Sequence, residues 1–273
     1  MDPIHMIARK IASRVLWRTK VCSLLTFETI YGYKMKFHPS AISAAMWEDR
    51  QYRRQEVELL LSFLRPGDTY VDIGANVGSL ALAASVKVGP EGRVYAIEAC
   101  PRTFRYLIRN IELNRATNIT PIHRAIGSDF GTVRFTDKLN DDMNYVGEGD
   151  SSVPCIPLDH LKIRGRIAVI KSDTEGFEPN IIAGGTQTLL RASRAIFECS
   201  EWNLNRYNKS AKDVTDSLTA LGFALTSESG QLLPANYTGN PGGNILATRL
   251  YETAVTANEI TSPPYHSMRI DLG

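Results

Sequence analysis

Acidic side chains that could do chemistry are concentrated in residues 170–178, which read IKSDTEGFE. An apolar run leads into Asp173 and Glu175, which are separated by one residue. Glu178 follows where a helix is predicted to begin, and the helix dipole would stabilise its charge there. We expect Asp173 and Glu175 to orient a substrate and to take the proton of a hydroxyl group, as a positioned base does. The alternative is that all three acids are structural residues at a helix entrance.

A fourth candidate acid, Glu198, lies in the largely apolar segment 195–200. A buried carboxyl group needs a partner or an altered pKa. We therefore predict that Glu198 supports Asp173 and Glu175 as a third catalytic residue, the alternative being a structural pair with an arginine. His123 is also a candidate base, but a lone histidine is more often structural.

A glycine-containing turn is predicted at residues 71–78, which read VDIGANVG and follow an apolar strand. Glycine lets the backbone bend tightly and approach a ligand closely. The spacing differs from the GxGxxG and GxxxxGK[ST] patterns that hold phosphates. The next predicted strand ends at Glu98, which could accept hydrogen bonds from both hydroxyls of a ribose. Together these features predict a nucleoside site, and the DxGxxxG form favours S-adenosylmethionine over NAD.

The predicted donor-binding residues come from the ends of successive strands. Asp72 could hold a cationic amine or a backbone group, and Ala125 lies where the third strand should line the adenine. The full predicted set is Asp72, Gly74, Ala75, Asn76, Gly78, Glu98, Ala125 and Asp173. No metal site is predicted. The four cysteines lack CxxC spacing, which disfavours zinc and indicates reduced thiols.

Strands and helices alternate along most of the chain, beginning with the strand at 69–73. This order predicts an α/β fold with a doubly wound, mostly parallel sheet and helices on both faces. Ligands bind such sheets beyond the carboxyl ends of the strands. Three predicted features are a single helix over 41–64, one strand over 119–126 and a loop over 138–155.

Three regions are predicted: an N-terminal extension at 1–50 with a basic helix and a hairpin, a catalytic domain at 51–250, and a poorly ordered tail at 251–273. The net charge of +2 gives no strong nucleic-acid signal. We expect a cytoplasmic protein, because there is no apolar run long enough to span a bilayer. The basic helix is expected to pack on the domain, with peripheral membrane contact as the alternative. The oligomeric state is not predicted.

Several segments resemble the FkbM family of methyltransferases over roughly residues 55–250. The matching segments are 66–68 (PGD), 71–78 (VDIGANVG), 96–98 (AIE), 170–178 (IKSDTEGFE) and 243–247 (GNILA). The resemblance implies a class I methyltransferase fold, S-adenosylmethionine as donor, and O-methylation of sugars or secondary metabolites. It also implies that Asp173 and Glu175 sit at the reaction centre. Ser172 and Thr174 stand where the family more commonly has apolar residues.

The predicted function is therefore O-methylation of a hydroxyl on a sugar, glycan or secondary metabolite. An RNA methyltransferase is one alternative, since Arg102, Arg105 and Arg109 fall on one predicted helix. A non-catalytic donor-binding module and an NAD oxidoreductase are the others. The acceptor is expected to be a small molecule or a carbohydrate.

Overall fold

The computed structural model describes residues 9–10, 12–17, 21–136, 144–147, 149, 151–234, 236–239 and 243–249. The predicted tail at 251–273 lies outside the described residues. None of the described helices is long and apolar enough to cross a membrane.

Within the N-terminal extension, the basic segment contacts the helix at Ala41–Glu48. Strands β1 (Thr26–Glu28) and β2 (Lys34–Lys36) form an antiparallel hairpin, as predicted around Gly32. The hydroxyl of Ser13 donates to Glu48, and the guanidinium of Arg9 lies 5.2 Å from the ring centre of Trp47. Arg9 and Ser13 of the basic segment thus contact this helix of the extension, and both packing on the catalytic domain and membrane contact stay predictions.

The predicted single helix over 41–64 is wrong, because two helices occupy this range. Helix α1 (Ala41–Glu48) begins after Ser40, whose side chain accepts a hydrogen bond from the Ser43 backbone N–H. Helix α2 is Arg54–Ser62. Arg53, just before α2, has a left-handed backbone with φ of 59°, which a continuous helix cannot contain.

A seven-stranded sheet forms the centre of the molecule. Its strands are β3 (Thr69–Ile73), β4 (Arg93–Ile97), β5 (Ile119–Ile122), β9 (Ile167–Ser172), β10 (Ala192–Glu198), β11 (Phe223–Ser227) and β12 (Asn244–Arg249). They lie in the order β11-β12-β10-β9-β3-β4-β5. Strand β12 pairs antiparallel with both neighbours, whereas β10-β9-β3-β4-β5 are parallel. This order confirms the predicted doubly wound α/β fold.

Helices cover both faces of the sheet. They are α3 (Ser79–Val88), α4 (Pro101–Asn114), α5 (Glu178–Gly184), α6 (Thr186–Leu189), α7 (Glu201–Asn205) and α8 (Ala211–Ala220). Tyr70 packs in the cluster that contains the α3 residues, whereas its neighbour Val71 packs in the cluster that contains Val214 and Leu218 of α8. Every residue of β3 and β9 is buried, as expected for parallel strands covered on both sides.

A second, three-stranded sheet explains two predictions that were wrong. Strands β6 (Ala125–Ile126), β7 (Gly131–Phe135) and β8 (Ser151–Ile156) pair in the order β6-β8-β7. The predicted strand over 119–126 therefore splits at His123 and Arg124, because its second part pairs with β8 rather than with the central sheet. Strand β8 also occupies the end of the predicted loop over 138–155.

The switch in strand order falls at β3. From β3 the chain builds outwards through β4 and β5, and later returns to add β9 and β10 on the other side. The carboxyl ends of β3, β4, β9 and β10 consequently meet at one edge of the sheet, where crossovers diverge and leave a crevice.

Candidate active site

A cavity of about 310 Å³ lies at this edge of the sheet. Seven of the predicted site residues line it, namely Gly74, Asn76, Glu98, Ala125, Asp173, Glu175 and Glu198. Asp72, Ala75 and Gly78 are buried and are not among the lining residues. Their roles in ligand binding stay predictions.

The turn after β3 holds the ends of two strands together. Gly74 has φ of +84°, and a Cβ atom built on it would lie 2.0 Å from the backbone oxygen of Asp173. Only glycine permits this approach without displacing the backbone. The Asp173 N–H also donates to the Ile73 carbonyl at 3.0 Å. The glycine turn and the acidic segment are therefore parts of one structure.

Glu98 is fixed at the end of β4 by two backbone groups. The N–H of Asn76 donates to Oε2 at 2.7 Å, and the N–H of Cys100 donates to Oε1 at 2.7 Å. Each carboxylate oxygen has two lone pairs, so a carboxylate held in this way can also accept from the hydroxyls of a ribose. The turn and the acid thus fit the adenosine part of S-adenosylmethionine.

Asp72 lies behind this surface, fully buried in β3. Burial raises the pKa of its carboxyl group to about 6, against the opposing effect of the nearby Lys171 charge.

Asp173 belongs to an ion-pair network that the sequence did not reveal. Its Oδ2 accepts from Nζ of Lys171 at 2.9 Å and from Nη2 of Arg53 at 3.4 Å. Glu56 of α2 contacts the same two cations, with its Oε1 3.4 Å from Lys171. Burial by itself would raise the pKa of Asp173, but the charges of Lys171 and Arg53 outweigh it and lower the pKa. Asp173 is therefore ionised at neutral pH.

The pKa values of Glu175 and Glu198 are raised, whereas that of Asp173 is lowered. Asn203 Nδ2 donates to Oε2 of Glu175 at 2.7 Å and to Oε1 of Glu198 at 3.3 Å. Burial, followed by the negative charge of Asp173, raises the pKa of Glu175 to about 7 and that of Glu198 to about 9. Two carboxyl groups that hold protons near neutral pH thus face the same cavity as Glu98.

Three site residues were not predicted from the sequence, and only Lys171 could have been found from its sequence context. Lys171 is a charged residue in an otherwise apolar strand, and a buried lysine requires carboxylate partners. Arg53 and Asn203 gave no comparable signal, because each reaches the site from a helix boundary or a helix distant in sequence. His123, the weak candidate base, contacts the Ala99 carbonyl at 3.1 Å and stacks on Phe104.

Residues 144–147 cover one side of the cavity. The Tyr207 hydroxyl donates to the Val146 carbonyl at 2.6 Å, and the Arg206 guanidinium lies 3.8 Å from the ring centre of Tyr145. Asn144 and Val146 both line the cavity. This part of the predicted loop is therefore attached to the segment that follows α7.

The doubly wound sheet, the glycine turn and the fixed acid define a class I methyltransferase. The family model described as the methyltransferase FkbM domain matches residues 72–225. The match covers more than half of the chain, so the protein belongs to the FkbM methyltransferase family, and its methyl donor is S-adenosylmethionine.

Other known proteins share part of this sequence. The chain is 28% identical over 114 residues to protein-L-isoaspartate O-methyltransferase 1 of Arabidopsis thaliana, covering 41% of this chain and 50% of that protein. It is 27% identical over 100 residues to a cobalt-precorrin-6B C(15)-methyltransferase of Sulfolobus acidocaldarius, covering 36% and 49% respectively. The chain thus spans about half the length of these curated relatives.

Solved structures with a similar arrangement include the fibrillarin of Aeropyrum pernix with bound S-adenosyl-L-methionine. It has 17% identity and a TM-score of 0.42, covering 82% of both chains. A SAM-dependent O-methyltransferase from Thermotoga maritima has 16% identity and a TM-score of 0.44, covering 72% of this chain and 64% of that one.

Proposed function

We propose that this protein transfers the methyl group of S-adenosylmethionine to a hydroxyl on a sugar, glycan or secondary metabolite. The observation that carries the proposal is the pair Glu175 and Glu198, whose pKa values are raised by burial at the cavity that also contains Glu98. A hydroxyl must lose its proton during methylation, and it needs a base more than an amine does.

In this proposal each acidic residue of the cavity has a role that follows from its position and its charge. The donor supplies a methyl group that is already activated by its sulfonium. Glu98 would hold the ribose, and the ionised Asp173 attracts positive charge. Glu175 takes the hydroxyl proton, because a base works best when its pKa lies near the operating pH, and its pKa is about 7. Glu198 lies beside it and shares its Asn203 contact.

Two further observations support the acceptor class. Residues 144–147 narrow the cavity, which favours a small acceptor or the end of a chain over a folded duplex. The formal net charge of +2 does not indicate the strongly basic surface that binds a polyanion such as RNA.

The test is methyl transfer from isotope-labelled S-adenosylmethionine to a panel of sugars, glycans and hydroxylated metabolites. We expect Glu175→Gln to lower turnover by about 10²- to 10⁴-fold, the usual contribution of a general base. Binding of S-adenosylhomocysteine, measured by calorimetry, should be retained. The matched control is Glu112→Gln, which changes an exposed acid on α4.

Wild-type turnover in the Glu175→Gln protein would contradict the assigned role. Methylation of RNA, with no product from any hydroxyl compound in the panel, would contradict the acceptor class.

A further inference from the structure

The carboxyl groups of Asp173, Glu175 and Glu198 converge on one point of the cavity wall. Each can supply one oxygen such that the three oxygens all lie within 4.8 Å of one another. Like charges at this separation repel strongly in a partly buried site, so the native arrangement needs protons or a cation between them.

Each of these carboxylates has one oxygen held by the protein and one left over. The side-chain hydrogen bonds that these three carboxyl groups accept from the described residues all go to one oxygen each: Oδ2 of Asp173, Oε2 of Glu175 and Oε1 of Glu198. Among the described residues, no donor contacts the other oxygen of any of the three. An outer contact that fixes one carboxylate oxygen while the other is open is typical of ligands arranged for an ion.

Glu198 provides an independent observation that points to a ligand. The residue is only 8% exposed, and its Oε2 is buried without a hydrogen-bond partner. Leaving a buried polar atom without a partner costs about 1–3 kcal/mol, more if it is charged. This atom belongs to a side chain that lines the cavity, so a bound species there would satisfy it.

Once Glu175 and Glu198 lose their protons, as they must to bind a cation, the nearby charges leave this cluster negative. Lys171 and Arg53 pair with Asp173 and Glu56. Neither Glu175 nor Glu198 forms an ion pair with a lysine or arginine in the described part of the chain.

We propose that Asp173, Glu175 and Glu198 together bind one divalent cation of the class that prefers oxygen ligands: Mg²⁺, Mn²⁺ or Ca²⁺. Carboxylate oxygens without nitrogen or sulfur select this class. These cations bind oxygen at about 2.0–2.6 Å, so one ion can contact oxygens that all lie within 4.8 Å of one another.

The position of the cation gives it a role that rests on the proposed function. A cation on these residues would bind the acceptor oxygen and lower the pKa of its hydroxyl group, as bound metals do for water. The cation site itself does not depend on the identity of the acceptor.

The experiment is a titration of the full chain with MnCl₂ alone, in which electron paramagnetic resonance measures free Mn²⁺. We expect one saturable site per chain, weakened at least 10-fold by Glu198→Gln, with competition by CaCl₂ or MgCl₂. The control Asp216→Asn removes an exposed acid of α8 that pairs with Lys212, and it should bind Mn²⁺ as the wild type does.

A second measurement covers the case in which Glu198→Gln does not fold. MnCl₂ should raise the Tm of the wild type, since a ligand that binds only the folded state stabilises it. Glu175→Gln, at a partly exposed position, should abolish most of that rise. The absence of a saturable site in the wild type, or wild-type affinity for Mn²⁺ in both glutamine variants, overturns the proposal.

Failure of the cation site and failure of the proposed function give different results. Methylation of hydroxyl compounds at full rate in EDTA, with no Mn²⁺ site, overturns only the cation proposal and leaves the carboxyl groups acting directly. A Mn²⁺ site that Glu198→Gln removes supports the cation proposal even if no hydroxyl compound is methylated.

Discussion

At the scale of single residues, chemically similar acids in this site are held in different protonation states by their contacts. Asp173 stays ionised beside Lys171 and Arg53, whereas Glu175 and Glu198 have raised pKa values. The sequence showed the acids and their spacing. It could not show their states, because these depend on Arg53 and Asn203, which arrive from other parts of the chain.

Asp173→Asn should destabilise the fold as well as slow the reaction. The change leaves the buried Lys171 with a neutral partner, and breaking a buried ion pair on one side costs about 3–5 kcal/mol. Glu56 still contacts Lys171, so we expect a loss at the lower end of this range, about 3 kcal/mol, in urea unfolding. The exposed pair Lys212–Asp216 is the control, and Asp216→Asn should cost at most about 1 kcal/mol. Equal stabilities of the two variants would show that the network contributes little.

Glu178 should make stability depend on pH. Burial raises its folded-state pKa from 4.5 to about 7, so the folded protein binds this proton more tightly than the unfolded chain does. The stabilisation is complete below pH 4.5 and is lost as the pH rises to 7, a change of about 3 kcal/mol. In the Glu178→Gln protein, the free energy of unfolding measured in urea should fall less between pH 5 and pH 8, because this contribution is absent. The charge of Glu178 also helps to raise the pKa of Glu175 and Glu198, so the variant should reduce their part of the fall as well.

The matched control for this change is Glu91→Gln at an exposed turn position. It should keep the wild-type fall in stability. An identical fall in the Glu178→Gln protein would contradict the raised pKa.

At the scale of elements, the turn after β3 determines where the acidic segment lies. Gly74→Ala would place a methyl group against the Asp173 backbone oxygen, where a Cβ atom has only 2.0 Å. Gly230→Ala is the matched control, since Gly230 has a similar positive φ but nothing within 4 Å of its Cβ position. In both variants the left-handed backbone conformation of alanine lowers the free energy of unfolding by about 1 kcal/mol. Gly74→Ala should cost at least about 2 kcal/mol more in urea unfolding, since backbone must move.

Gly74→Ala should also weaken donor binding, whereas Gly230→Ala should leave it unchanged. Equal destabilisation by the two alanine variants would show that the contact between the turn and Asp173 is unimportant.

The sequence predicted elements well where local patterns decide them. The buried strands β3 and β9 are largely apolar runs, and the glycine turn has its own spacing. It failed between α1 and α2, where Arg53 takes a left-handed conformation that its residue type does not favour. Arg53 is also the residue whose side chain contacts Asp173. One unpredicted backbone conformation therefore explains both the missed break between the helices and the missed ion pair.

At the scale of the whole molecule, strand order brings distant segments into one site. The turn at 74–78, Glu98, the acidic segment and Glu198 come from four strands, and alternation of strands and helices was enough to predict that they meet. The second sheet, β6-β8-β7, could not be predicted, because two-residue strands such as β6 leave no periodic pattern.

The central claim is that one adenosyl group binds between the glycine turn and Glu98, beside the carboxyl groups at the end of β9 and β10. Calorimetry with S-adenosylhomocysteine tests it most directly. The account predicts one site per chain, weakened about 10- to 100-fold by Glu98→Ala through the loss of charged hydrogen bonds. Affinity should be unchanged by Glu91→Gln. The absence of binding to the wild-type chain, or full affinity in the Glu98→Ala protein, would contradict it.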